Sequence, residues 1–212
     1  MVAESRSTPT LAIFTRAPEL GKVKTRLARA VGERAAFDAH QMLQRRSIEV
    51  ATASGFPAEI WLDGNLDALP IQQLAIFPQC AGDLGARMLH TIAHITARGH
   101  PAIIIGSDCP VLDVNYLRDA VRALDSGIDV VVGPVEDGGY VLIGMAQPQP
   151  ALFLDMTWST RTVLSETLER AAAAGLTTTV LDELWDVDNV ADWQRWQSLT
   201  KALTPNQRPS RG

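Results

Sequence analysis

Leu11-Ala-Ile-Phe-Thr-Arg-Ala-Pro-Glu-Leu-Gly-Lys-Val-Lys-Thr-Arg-Leu27 runs from an apolar segment through a punctuated turn into helical spacing. Leu11 to Phe14 suits a buried strand, and Pro18 and Gly21 mark a turn. From Val23 the apolar positions continue at Leu27, Ala28 and Val31 with a helical period. A strand that enters a helix through a glycine turn leaves backbone N–H groups unpaired at the helix start, where the helix dipole is positive. Phosphate is the anion most often held there. The loop carrying Gly21, Lys22, Lys24, Thr25 and Arg26 therefore reads as a phosphate corner, with cations to neutralise a di- or triphosphate. A solvated basic face is the plain alternative. Dipole logic weighs against it, since cations at the positive end of a helix are disfavoured until an anion joins them. The corner is not a Walker A loop, because Val23 follows Lys22 where Ser or Thr would be needed, and no Gly-x-Gly-x-x-Gly occurs.

Outward from this corner the chain alternates between strand and helix signals. After Gly32 a helical pattern covers Glu33 to Ser54, stopped by Gly55 and Pro57, and Ala58 to Leu62 reads as a strand. Residues 66–77 fit either a short helix or a strand at Leu74 to Phe77. A helix following Gln79 to Met88 runs to about Ala97 and ends at Gly99. Ala102 to Ile105 is unbroken apolar, as expected of a central parallel strand covered on both faces. Asp113 is a fair N-cap for a helix to about Leu124. Strands at Asp129 to Gly133 and Tyr140 to Met145 flank Glu136-Asp-Gly-Gly139. A helix from about Thr162 to Ala174, a strand at Thr177 to Leu181 and a helix at Val190 to Leu199 complete the pattern. This alternation predicts an α/β fold with a mainly parallel sheet flanked by helices, in one domain over residues 10–200. Flexible segments are expected at 1–9 and 201–212. In such sheets ligands bind beyond the carboxyl ends of the strands.

Composition narrows the function classes. The chain has 212 residues, 46% hydrophobic and 20% charged, which suits a soluble globular protein with one substantial core. No apolar run reaches membrane-spanning length and Met1 to Pro9 is polar, so a cytoplasmic location is expected. Cys80 and Cys109 are two thiols only, too few for a disulfide framework. The net charge of −5 hides an asymmetry: residues 1–46 carry nine Lys/Arg against four Asp/Glu, and the remainder ten against twenty. An acidic chain with 6% aromatic residues lacks the basic stripe and stacking platforms of a nucleic-acid binder. A small anionic ligand held between cations and a carboxylate-bound metal fits the split better.

Three acidic sites follow strands. Asp108 follows the most apolar strand, between Gly106 and Pro110, and reads either as a held metal ligand or as a turn-capping residue. Asp186 and Asp188 precede the last helix, as metal ligands or N-caps. Mg²⁺ takes one or two carboxylates plus phosphate oxygens and water, so Asp108 with Asp188 would suffice, with Asp186 as third ligand or support. In Asp137-Gly138-Gly139 the paired glycines either form a hairpin turn or admit a ligand close to the backbone, and Asp137 could contact a sugar hydroxyl or act as a base. His90 and His94 have i, i+4 spacing but no Glu between them and no third ligand, so they read as surface residues. Trp193 and Trp196 read as core packing.

Gly21-Lys-Val-Lys-Thr-Arg-Leu-Ala28, Gly82-Asp-Leu-Gly-Ala-Arg-Met88, Ile105-Gly-Ser-Asp-Cys-Pro110, Gly133-Pro-Val-Glu-Asp-Gly-Gly-Tyr140, Trp158-Ser-Thr160 and Asp186-Val-Asp188 together resemble the DUF2064 family. Members of that family look like glycosyltransferase-A-type (GT-A) nucleotide-diphospho-sugar transferases, and one branch is named for a glycosyltransferase of arsenosugar biosynthesis. The resemblance spans about residues 10–196. It implies a single Rossmann-like GT-A domain that binds a nucleotide-linked donor with Mg²⁺ or Mn²⁺. Position by position, the loop Gly21 to Arg26 would hold phosphates, Asp108 would be the metal aspartate, and the loop Asp137 to Gly139 would line the donor or acceptor pocket. The family is also similar to guanylyltransferases that activate phospholactate or phosphoenolpyruvate in deazaflavin synthesis. Those have a related Lys-x-Arg-Leu loop and late acidic metal ligands, which supports Asp186 and Asp188. Many GT-A glycosyltransferases carry Asp-x-Asp after the central strand, whereas Ser107-Asp108-Cys109 has one carboxylate and leans toward the nucleotidylyltransferases.

The leading expectation is a metal-dependent glycosyltransferase using a nucleotide-diphospho-sugar, with Asp108, Asp137 and Lys24 as catalytic residues. Lys22, Lys24, Arg26 and Arg87 would sit with Gly138 and Gly139 around the nucleotide. The first alternative transfers a nucleotidyl group from an NTP to a small phosphorylated acceptor, with Arg87 and Arg161 as cations for it. The second is a non-catalytic nucleotide-binding module. Small-molecule partners are expected, with no nucleic acid or membrane, and room remains for a homo-oligomer.

Overall fold

The computed structural model describes residues 7–69 and 73–203. Residues 1–6 and 204–212, which make up most of the two expected flexible ends, and residues 70–72 lie outside that description. Strands β1 (Thr10–Arg16), β2 (Ala58–Asp63), β3 (Ala75–Pro78), β4 (Ala102–Gly106), β5 (Val130–Pro134), β6 (Tyr140–Met145) and β7 (Thr178–Val180) form one sheet in the order β3-β2-β1-β4-β6-β5-β7. β6 runs antiparallel to β4 and β5, and the remaining neighbours are parallel. The ambiguous stretch resolves into a short 3₁₀ turn at Leu66–Ala68 followed by the edge strand β3.

The apolar strands are divided between two layers by their period of two. Leu11, Ile13, Ile103 and Ile105 pack beneath α2 (Glu33–Ala53) and α4 (Val114–Asp125). Ala12, Phe14, Ala102 and Ile104 pack against α3 (Leu84–Thr96) and α5 (Val163–Ala173). Ile103, Ile104 and Ile105 are at most 4% exposed, and burying each contributes about 1.5–3 kcal/mol. Asp113 caps α4 by accepting the Tyr116 N–H at 2.8 Å, and Asp83 caps α3 through Ala86 N–H at 2.8 Å.

A third cluster joins α1 (Thr25–Val31), α2 and α6 (Val190–Leu203) through Leu27, Leu43, Trp185, Val187 and Trp196. Trp196 is buried and meets Trp193 edge to face. This cluster places the site: Trp185 and Val187 are buried anchors, so Asp186 and Asp188 between and beyond them turn to the other side, toward the carboxyl ends of β1 and β4. No helix among the described residues is long and apolar enough to cross a membrane.

Candidate active site

The corner after β1 is built around Lys24. It adopts the left-handed conformation (φ 50, ψ 43) immediately before α1, a backbone state that costs a non-glycine residue about 1–2 kcal/mol. The strain is held by the side chain, which is 5% exposed. Its Nζ donates to the Val187 carbonyl at 2.6 Å and pairs with Asp108 Oδ2 at 2.8 Å. Lys22, two residues earlier, is exposed and paired with Glu19 at 2.6 Å, which raises its pKa. Neither it nor Gly21 lines the cleft; Gly21 (φ 79) supplies the turn.

Asp108 stands just past β4. Its backbone carbonyl accepts the Val187 N–H at 3.0 Å, so the segment bearing Asp186 and Asp188 is stitched to the Asp108 loop by main chain as well as through Lys24. Arg26, on α1, pairs with Asp188 at 2.5 Å. Asp186 is pushed up to about 6, first by burial, then by the carboxylates of Asp137 and Asp108. The four acidic side chains of the late segment, the β5–β6 turn and the β4 loop thus share one field. Cys109 is a core residue: burial pushes its thiol up to about 11.

A cleft of about 590 Å³ opens over these residues. Lys24, Thr25, Arg26, Asp108 and Asp188 line one side; Arg16, Asp63, Gln79, Asp83 and Arg87 line the other. Arg87 pairs with Asp63 at 2.8 Å and donates to the Gly82 carbonyl at 3.1 Å. Sequence reasoning missed the floor. His40, 4% exposed, reaches from α2 to the Arg16 carbonyl at 3.1 Å, and burial lowers its pKa so that the ring stays neutral. Gln44, one turn on, donates to the same carbonyl and to Thr15 Oγ1, which also accepts from Ser107 Oγ. The available signal was a His and a Gln at i, i+4 among Ala36, Ala39 and Leu43, polar residues at core positions of a helix.

A smaller lobe of about 380 Å³ adjoins through Arg26, Ser159 and Asp188, and contains Asp137, Arg161 and Asp186. Gly138 and Gly139 line neither lobe. They form the β5–β6 turn, in which Asp137 Oδ1 accepts the Gly139 N–H at 2.9 Å. A Cβ on Gly138 (φ 88) would lie 2.2 Å from the Arg161 carbonyl oxygen, so the close approach this glycine permits is to the chain itself. His90 and His94 are exposed on α3, their rings against Trp61.

The layer order, the single inserted antiparallel strand and the cleft beyond β1 and β4 define an α/β protein of the nucleotide-diphospho-sugar transferase fold. The chain belongs to the DUF2064 family, described as "Uncharacterized protein conserved in bacteria", whose model matches residues 42–160. No curated protein matches it. A crystal structure of a "putative nucleotide-diphospho-sugar transferase" from Desulfovibrio desulfuricans G20 is similar at 28% identity and TM-score 0.75, over 95% of this chain and 89% of that one. A nucleotidyl transferase from Methanothermobacter thermautotroptrophicus shares the fold at 12% identity and TM-score 0.64, over 93% of this chain and all of that one. The inositol-1-phosphate CTP transferase of T. maritima does so at 12% and 0.57, over 96% and 100%.

Proposed function

We propose that the chain is a cytoplasmic transferase that binds a nucleotide-diphospho-sugar with Mg²⁺ or Mn²⁺ in the larger lobe and delivers the sugar to an acceptor in the smaller one. One observation carries the reading: Lys24, Asp108 and the Asp186–Asp188 segment, far apart in sequence, converge on one cleft at the carboxyl end of the sheet. The similarity to the Desulfovibrio protein supports it.

The donor set fits a divalent cation completed by its ligand. Among the described residues no three His, Cys, Asp or Glu side chains stand ready as a metal cage. The carboxylates of Asp108, Asp137 and Asp188 nonetheless repel that of Asp186, a tension a cation relieves. Mg²⁺ needs only one or two carboxylates when phosphate oxygens and water fill the rest. Asp108 and Asp188 would hold it, with Asp186 as third ligand or support, and when bound it neutralises charge on the diphosphate. Lys24, Arg26 and Arg87 would donate to phosphate oxygens and stabilise the charge that develops on the departing nucleoside diphosphate. Asp137 would orient the acceptor hydroxyl and take its proton as the bond from sugar carbon to diphosphate oxygen breaks and the bond to the acceptor oxygen forms. The test is incubation with a panel of nucleotide sugars and Mn²⁺, reading nucleoside diphosphate. The reading fails if no nucleotide sugar is bound or turned over while an NTP with a phosphorylated acid releases pyrophosphate.

That second outcome is the nucleotidylyltransferase reading, favoured by the lone carboxylate in Ser107-Asp108-Cys109. There an acceptor phosphate oxygen would attack the α-phosphorus and pyrophosphate would leave. Asp108→Asn separates both from a non-catalytic nucleotide binder, since only an enzyme loses turnover.

A further inference from the structure

Resting on the donor reading above, we infer that the acceptor taken by the smaller lobe is an uncharged or ammonium-bearing polyhydroxyl compound, and that phosphate esters and carboxylic acids are rejected. The lobe is large enough for a sugar-sized molecule and opens directly onto the donor lobe across Ser159 and Arg26. Its charge decides what enters.

Two cations line it, Arg26 and Arg161. Arg26 is taken by Asp188 at 2.5 Å and also lines the donor lobe. A third, Arg195, does not line the lobe and is held by two residues that do. Its NH1 donates to both oxygens of Glu136 at 2.9 Å, and its guanidinium stacks 4.2 Å from the centre of the Trp185 ring. Setting aside the Arg26–Asp188 and Glu136–Arg195 pairs, and giving Asp186 to the donor's cation, leaves Asp137, Asp192 and Arg161 as the charged groups of the lining. Both remain committed as acceptors: Asp137 takes the Gly139 N–H, and Asp192 Oδ2 takes the N–H groups of Asp188 and Asn189 at 3.0 Å.

An acceptor phosphate would therefore approach two carboxylates and the donor diphosphate with one guanidinium to offset them. Like charges brought together at this lining select against such a partner. Hydroxyl groups meet the opposite situation. Carboxylate oxygens accept their protons, and the side-chain NH₂ of Asn189, whose oxygen is taken by the Ala191 and Asp192 N–H groups, adds a neutral donor. The same charge pattern disfavours the nucleotidyl reading, in which an anionic phosphate must attack another.

The full-length chain, saturated with Mg²⁺ and each of UDP, GDP, CDP and ADP in turn, is titrated calorimetrically with sorbitol, glucosamine, gluconate and sorbitol 6-phosphate. Sorbitol or glucosamine is expected to bind at least about tenfold tighter than either anion, a gap that salt narrows. Asp192→Asn, which keeps a side-chain oxygen able to accept the Asp188 and Asn189 N–H groups, is expected to narrow it about threefold. Equal or tighter binding of gluconate or sorbitol 6-phosphate overturns the inference, as does failure of all four compounds to bind. The nucleotide titration itself tests the donor reading separately: absence of nucleotide binding sinks that reading, while the ranking of the four probes on the nucleotide-free protein still decides the acceptor class.

Discussion

The two lobes of the cleft share Arg26, Ser159 and Asp188 yet settle their charges differently. In the larger lobe each lining Lys or Arg already faces a carboxylate: Lys24 with Asp108, Arg26 with Asp188, and Arg16 and Arg87 with Asp63. In the smaller lobe carboxylates outnumber cations and one of them, Asp186, is held toward its neutral form. The difference bears on how the proposed donor would enter. A phosphate entering alone has to take Arg26 or Arg87 from a carboxylate, and a metal entering alone has to displace Lys24 from Asp108. Each leaves a charge without its partner, which is costly in a partly buried site. Entering together, the two would exchange partners, with metal on carboxylates and phosphate on the released cations.

The largest effect is expected for Asp108→Asn. It removes the carboxylate at the centre of the larger lobe and frees Lys24, and turnover is expected to fall by about 10²–10³ while the fold persists. Steady-state kinetics beside circular dichroism checks both halves.

Next in size is Gly138→Ala. A methyl group there meets the Arg161 backbone at 2.2 Å on a residue with positive φ, so a loss of about 2–4 kcal/mol in stability is expected. Urea unfolding measures it, and a loss below about 0.5 kcal/mol would show that the wall of the smaller lobe is soft.

Asp186→Asn tests the smaller lobe's charge. Because Asp186 titrates near 6 in the fold against an ordinary 3.8, the native state binds its proton more tightly than the unfolded chain does. Stability from this group is full at acid pH and is lost as pH rises toward and through 6. The metal-free variant should therefore melt a few degrees above the parent at pH 7.5, an advantage that shrinks below about pH 6 and is gone by about pH 3. Its catalytic rate should fall, a trade of function for stability.

The smallest effect is expected for Lys22→Ala, which breaks only an exposed pair with Glu19. The melting temperature should stay where it is and turnover should change by less than about threefold. A large loss of turnover would return Lys22 to the phosphate corner that its sequence neighbourhood suggests.

The contrast between Lys22 and Lys24 shows what could be read from the chain alone. Strand and helix alternation is a local pattern, so the α/β sheet and most of its elements were legible, as was Asp108 at the end of an unbroken apolar strand. Which of two lysines two residues apart turns inward was not, because that depends on Lys24 entering the left-handed region and finding Val187, 163 residues away. The roles of Gly138 and Gly139 stayed open for the same reason, since the object that approaches Gly138 is the distant Arg161 backbone. His40 and Gln44 were hidden because their partners, the Arg16 carbonyl and Thr15, belong to another element.

The most direct test of paired entry into the larger lobe is calorimetric titration of nucleoside diphosphates into the protein with Mn²⁺ and, separately, with EDTA. The exchange of ion pairs predicts that at least one nucleotide binds at least about tenfold tighter with the metal, and that Asp108→Asn abolishes the difference. Equal affinity in Mn²⁺ and EDTA, or a metal effect that survives Asp108→Asn, would contradict it.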